Sequence, residues 1–284
     1  MKCRFIDTGF NDAYTNMAID EAILHYCKIP TLRVYGWKQA AISIGYNQDL
    51  EKEINMEYCK KNSLDIVRRL TGGKAVFHDK EITYSFISPE NNDLLPMEIN
   101  ESYKIIAKAL VIALKKIGIN SEIKKVPEKI KTPICFNSSN WYELIVNNKK
   151  ISGSAQRRMD RKILQHGSLL IDFDYNKNNS LFNSNDLIDN ILNLKKRITS
   201  INNQLKINNI NYNLLEKQSF SGRRKIINFS SELKEAIKNG FKENFNFEMI
   251  NDSLIIEEIK LAERLKEEKY STEEWNYKLQ LSYL

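Results

Sequence analysis

Arg68-Arg69-Leu70-Thr71-Gly72-Gly73-Lys74-Ala75-Val76-Phe77-His78 is the stretch from which the chain is best read. Asp65–Leu70 has the pattern of a strand, and Ala75–Phe77 and Ile82–Ile87 have it again, so Thr71-Gly72-Gly73 reads as a turn between strands. Two glycines at a strand end let the backbone approach a ligand closely and present N–H groups to an anion or a carbonyl oxygen. Arg68 and Arg69 add fixed charge, and His78 adds a titratable group. The stretch is not a Walker loop, because G-x-x-x-x-G-K-[ST] is absent, and it is not a Rossmann fingerprint. Taken alone, a Gly-Gly turn in a basic strand is more often a plain hairpin.

Working outward, Asn16–Tyr26 carries a helical apolar stripe, and Leu32–Tyr35 and Ala40–Ile44 read as strands separated by a turn at Gly36–Gln39. A short helix is expected around Ile54–Lys61. Asn100–Ile117 is the strongest helix, with Tyr103, Ile106, Ala107, Leu110, Leu114 and Ile117 on one face and Gly118 ending it. Strand-like runs follow at Ser121–Val126, Tyr142–Val146, Lys150–Gly153 and Ile163–Phe173. Residues 174–212 are Asn-rich and weakly patterned apart from a short helix near Asp186–Leu194, and they read as a solvated surface excursion. Helix returns at Ser230–Phe245, with Ser230 or Ser231 as the expected cap, and at Leu254–Lys269. Paired strands with helices at long intervals predict an α+β fold, with mixed, mainly antiparallel sheets and packed helices.

Composition bounds the function. The 284 residues are 42% hydrophobic and 28% charged, which is globular and leaves room for one large domain plus an appendage. No apolar run approaches the roughly 18 residues that span a bilayer. The start, Met1 to Tyr14, has no apolar core of a secretory signal, so the expected location is the cytoplasm. Net charge is +7, but residues 251–284 carry −3 and the first 250 carry +10. Such a surplus favours acidic partners. Basic residues are scattered through 115–131, 195–197 and 223–225 without interleaved aromatics, which counts against nucleic acid. Cys3, Cys27, Cys59 and Cys135 form no C-x-x-C knuckle, and the three histidines complete no zinc site.

A second candidate runs from Cys135 to Asp172. It holds Cys135-Phe136, then Trp141-Tyr142-Glu143-Leu144, then Lys149-Lys150-Ile151-Ser152-Gly153-Ser154-Ala155-Gln156, and Gln165-His166-Gly167-Ser168 on the next strand. A lysine beside a Ser-Gly-Ser-Ala turn can direct its ammonium into a cleft. Singly, Cys135 reads as a buried structural thiol and Lys150 as an exposed hairpin lysine.

Together, R-R-x-x-G-G-x-A-V-x-H, K-I-S-G-S-A-Q and H-G-S-L-L resemble the lipoate–protein ligase and octanoyltransferase family, which shares its fold with biotin–protein ligases. The resemblance extends from N-M-A-I-D-E-A at Asn16–Ala22 to K-Y-S-T-E-E-W-N at Lys269–Asn276. It implies a biotin/lipoate-ligase-like catalytic domain over residues 1–248 and a short helical tail over 249–284. Ligases of the family generally carry an Asn-Asp pair upstream of the lysine, whereas this chain has Cys135 fifteen residues before Lys150. Its length also leaves no room for the accessory domain of many ligases.

The resemblance is therefore closest to the cysteine-dependent octanoyltransferase that moves octanoyl from acyl carrier protein to the glycine cleavage H protein. It implies Cys135 and Lys150 as catalytic residues. Arg68, Arg69, Gly72, Gly73, His78, Gly153, Ser154, Ala155 and His166 would bind substrate. No metal or cofactor is implied; ATP and magnesium enter only under the alternative, an ATP-dependent lipoate ligase. A lipoyl amidotransferase is a further alternative, and a catalytically idle binding protein a third. The expected partners are acyl carrier protein and a lipoyl-domain acceptor, with neither nucleic acid nor membrane, and the enzyme is expected to act as a monomer.

Overall fold

The computed structural model describes residues 1–90, 94–124, 143–182, 187–207 and 222–277. The chain opens with β1 (Lys2–Asn11), α1 (Ala13–Tyr26), β2 (Thr31–Trp37), β3 (Ala41–Ile44), α2 (Leu50–Glu53), α3 (Met56–Lys61), β4 (Asp65–Arg68), β5 (Val76–His78) and β6 (Glu81–Pro89). Next come α4 (Ile99–Lys116), β7 (Glu122–Ile123), β8 (Leu144–Val146), β9 (Lys149–Lys150), β10 (Ser152–Met159) and β11 (Lys162–Leu170). The last part holds α5 (Tyr175–Ser180), α6 (Leu187–Arg197), α7 (Ile201–Ile207), α8 (Gly222–Phe245), β12 (Glu248–Asn251) and α9 (Ile256–Leu265). A π-helical turn, Lys266–Tyr270, leads into α10 (Glu273–Tyr277).

Six strands form the main sheet in the order β10-β11-β6-β2-β1-β12. It is antiparallel from β10 through β2 and becomes parallel where β1 joins β2 and β12. A second sheet has the order β4-β3-β5, parallel on one side of β3 and antiparallel on the other. The third, β7-β8-β9, is antiparallel. This is the mixed, mainly antiparallel α+β architecture expected. The strands read at 32–35 and 40–44 belong to different sheets, and in place of the turn expected at Gly36–Gln39, β2 runs on through Gly36 and Trp37 so that Lys38–Ala40 carries the chain across.

Every residue of β2 is buried, as a central strand covered on both faces requires. One apolar cluster joins Leu32 and Phe86 of the main sheet to Ile106 and Leu110 of α4 and Ile237 and Phe241 of α8. A second joins Met17 and Ile23 of α1 to Leu164, Leu261 and Trp275. A third joins Ile42, Ile44 and Phe77 of the small sheet to Leu181, Phe182, Leu194 and Ile198.

That third cluster corrects the reading of 174–212. The described part of the segment is α5, α6 and α7, packed into the core, and even Asn178 and Asn179 are buried. Its apolar residues are sparse but meet at one face, and burying each contributes roughly 2 kcal/mol, so a few outweigh an Asn-rich composition. Two further corrections are local. Ser230 and Ser231 lie inside α8 rather than capping it, and Ser152–Ala155 begins a strand rather than forming a turn. Asp12, not anticipated, caps α1 by accepting from the Thr15 N–H at 2.8 Å. The boundary expected at 248 falls on β12, a strand of the main sheet paired to β1.

Candidate active site

The small sheet and the β10–β11 edge of the main sheet face each other across a cavity, and the loop between β4 and β5 borders it. The cavity is narrow, with about 40 Å³ open to the centre of a water-sized sphere, and it opens to solvent. Arg69, Gly73 and His78 line one side, and Gly153, Ser154, Ala155 and His166 line the other. Seven of the eleven residues singled out from the sequence therefore meet at one place.

The loop's shape follows from its residues. Gly73 has φ +91°, a conformation that L side chains rarely adopt, and its carbonyl lies against Gly45 so closely that a Cβ there would collide with it. The Arg69 guanidinium fills the turn from inside. Its Nη2 donates to the Gly72 and Lys74 carbonyls, both at 2.8 Å, and its Nη1 to the Ser43 carbonyl at 3.0 Å. Arg69 thus both lines the cavity and closes the loop on itself.

Two buried polar chains run beneath the cavity. In the first, Glu81 Oε1 accepts from Thr83 at 2.8 Å and from Ser168 at 2.5 Å, and lies 2.7 Å from His78 Nδ1. His78 Nε2 lies 2.7 Å from the Ser43 hydroxyl, to which Arg69 also donates at 3.1 Å. When Nδ1 donates to Glu81, Nε2 is placed to accept from the Ser43 hydroxyl. Trp37 stacks on His78 at 3.8 Å and donates its indole N–H to Thr83 at 2.9 Å.

In the second chain, Arg33 and Asp20 pair at 2.6 Å, and Asp20 Oδ2 lies 3.2 Å from both His166 Nδ1 and the Tyr35 hydroxyl. His166 Nε2 reaches Thr71 at 2.7 Å. Burial alone would raise the Asp20 carboxyl, but Arg33 and His166 hold it below the usual carboxylate value. Burial lowers the His166 imidazole, against the opposing pull of Asp20.

Lys150 is buried, not exposed on a hairpin, and its ammonium meets Glu143 at 2.5 Å. It does not line the cavity but stands just before β10, whose Gly153 and Ser154 do. Gly72 is exposed outside the cavity, its carbonyl held by Arg69. Arg68 also stands outside it, its guanidinium donating to backbone carbonyls. Cys135 lies outside the described residues. The sequence reading missed Trp37, Ser43, Glu81, Thr83 and Ser168. A signal was present for two of them: in Glu81-Ile82-Thr83-Tyr84-Ser85-Phe86 the polar residues alternate with apolar ones and so share one face.

The family model described as the lipoyl protein ligase A/B catalytic domain matches residues 12–219. Octanoyltransferase LipM of Bacillus subtilis is 37% identical, over 97% of this chain and 98% of its own length. Octanoyltransferase LipM of Staphylococcus aureus is 38% identical, over 96% and 98%. Among solved structures, a bipartite lipoate protein ligase from Thermoplasma acidophilum superposes with a TM-score of 0.78 over 100% of this chain and 99% of its own, at 23% identity. That last likeness is one of fold, while the family model and the curated relatives together show that the chain belongs to the lipoyl protein ligase A/B catalytic-domain family and is an acyltransferase.

Proposed function

We propose that this enzyme moves an octanoyl group from octanoyl-acyl carrier protein to the lipoyl-domain lysine of glycine cleavage H protein, through a thioester on Cys135. The observation that carries the proposal is the cavity itself, bounded by the Gly73 loop and the Gly153–Ala155 strand, with Lys150 buried just before that strand in sequence. An eight-carbon chain entering such a space gains about 0.8 kcal/mol per buried methylene. The other cysteines support Cys135 as the reacting thiol. Burial pushes Cys3 and Cys27 up to about 12 and Cys59 up to about 11, so all three hold their protons at neutral pH.

In the proposed reaction the Cys135 thiolate attacks the donor thioester carbonyl, and the carrier's thiolate leaves and takes up a proton. The neutral amine of the acceptor lysine then attacks the acyl-enzyme; an amide forms, the amine's proton is lost, and Cys135 is released. The Lys150 ammonium lowers the thiol pKa and stabilises the tetrahedral oxyanion, together with backbone N–H groups near Gly72-Gly73 and Gly153-Ser154. Glu143 fixes that ammonium, a role absent from the sequence reading. No ATP is consumed, because exchange between thiols is nearly isoenergetic and amide formation from a thioester is downhill.

Both partners are acidic carriers in this reading, and the surface beside Lys150 suits them. Lys195 and Lys196 are exposed at the end of α6, and Lys149 donates to the Lys195 carbonyl at 2.8 Å. A cytoplasmic location and action as a monomer belong to the same proposal; among the described residues no helix is long and apolar enough to cross a membrane. Octanoyl-acyl carrier protein and the H protein, mixed with the enzyme without ATP, should yield an octanoylated acceptor lysine. Transfer only when free acid, ATP and magnesium are supplied, with pyrophosphate released, would establish the ligase in its place.

A further inference from the structure

The segment Lys269–Asn276 lies outside the cavity, yet its last residues close on the strand that leads into the cavity loop. The Trp275 indole N–H donates to the Arg68 carbonyl at 2.7 Å, and the Arg68 amide donates to Asn276 Oδ1 at 2.8 Å. In return, the Arg68 guanidinium donates to the Trp275 and Asn276 carbonyls, both at 3.0 Å. On its other side it donates to the carbonyls of Gly45, Tyr46 and Gln48 at 3.1, 3.0 and 2.8 Å.

Arg68 is 1% exposed, and among the described residues no carboxylate pairs with it. Desolvating a guanidinium without a counter-ion is an expensive way to gain stability. What it does provide is geometry, because five carbonyls from two separate segments converge on one planar fork. The wall of the cavity hangs from this point. The Arg69 amide donates to the Ile44 carbonyl at 3.0 Å, and the Tyr46 amide to the Thr71 carbonyl at 2.9 Å. Gly45 in turn touches the Gly73 carbonyl. A shift of Arg68 therefore moves both the turn after β3 and the loop before β5.

We infer that Trp275 and Asn276 are positioning residues for acyl binding: acting through Arg68, they hold Arg69 and the Leu70–Lys74 loop in the shape that receives the acyl chain. This rests on the reading that the cavity takes an acyl chain. Neither residue lines the cavity.

The test uses the full-length enzyme, with octanoate binding measured by calorimetry and the donor KM and kcat measured in parallel. Trp275→Phe keeps a ring beside Tyr46 and Tyr270 but removes the N–H. Asn276→Leu removes the acceptor together with two amide donations, to the Tyr270 and Thr272 carbonyls at 2.7 and 3.0 Å, whereas Asn276→Asp loses those donations but keeps an acceptor for the Arg68 amide. Losing its one bond to the Arg68 carbonyl weakens octanoate binding and raises the donor KM about tenfold in Trp275→Phe, and Asn276→Leu, which loses three, weakens it at least as much, with kcat changed less than about twofold in both. Asn276→Asp, which keeps the bond to the Arg68 amide, binds octanoate more tightly than Asn276→Leu. Leu261→Ala, in the same apolar cluster as Trp275 but without contact to Arg68 among the hydrogen bonds described, controls for lost stability. If it weakens binding as much as Trp275→Phe, or if the latch variants bind octanoate like the wild type, the inference is overturned. A wild type that binds no octanoate would instead overturn the acyl reading of the cavity.

Discussion

His166 stands between Asp20 and Thr71 with its pKa drawn below the ordinary 6.5 by burial, more than Asp20 restores. In the unfolded chain the ring takes up its proton near pH 6.5; in the fold it does so only at lower pH, so the unfolded state binds more protons in between. The stability this group contributes is complete above about pH 6.5 and is lost as the pH falls toward the folded value. The melting temperature should drop as the pH falls below about 6.5, and His166→Asn should flatten that fall. A wild-type melting temperature that is level or rises toward acid would contradict it. Asp20 works lower down: its carboxyl is held below 3.8, and its contribution goes only as the pH falls through that depressed value. At this scale Arg68 and Arg69 show the limit of the sequence. They read alike there, but β4 ends at Arg68 and Arg69 already belongs to the loop it closes. Arg69 accordingly borders the cavity while Arg68 faces Trp275 and Asn276.

Elements with long, regular patterns were legible; those that depend on distant partners were not. The helix expected over 100–117 is observed at Ile99–Lys116 because eighteen residues carry one continuous apolar stripe. The four-residue β3 and three-residue β5 were also visible, but which sheet they join is set by tertiary pairing. The packing of the described residues after 174 was hidden because Leu181, Phe182, Leu194 and Ile198 bury themselves against β3 and β5, and Ile201 and Leu205 against the main sheet's cluster, all far off in sequence. The contact between the turn after β3 and the cavity loop gives a prediction at this scale. Gly45→Ala places a methyl group against the Gly73 carbonyl, and backbone must move to admit it. Such overpacking costs about 1–3 kcal/mol, so the melting temperature should fall and octanoate affinity with it. A Gly45→Ala enzyme with unchanged melting temperature and affinity would show the loop to be looser than this packing implies.

For the whole molecule, the residues on either side of 248 are joined by direct contacts. β12 extends the main sheet through β1, and Arg4 reaches forward to Asp252 and Glu258 at 2.7 Å each. Lys266 pairs with Asp12 and Lys269 with Glu21, binding the last helices to α1. The acidic tail is thus partly neutralised within the fold, and the +10 of the first 250 residues remains the larger field. If that field steers acidic carriers, kcat/KM with carrier-bound octanoyl falls as salt rises from about 0.05 to about 0.5 M, while a small octanoyl thioester is little affected. Equal salt response for the two donors would remove docking charge from the picture. The most direct test of the proposed chemistry is the intact mass of the enzyme after exposure to octanoyl-acyl carrier protein without ATP. One added octanoyl group, released by hydroxylamine and absent in Cys135→Ala, is the predicted result; no adduct on the wild type, or an undiminished adduct on Cys135→Ala, would contradict it.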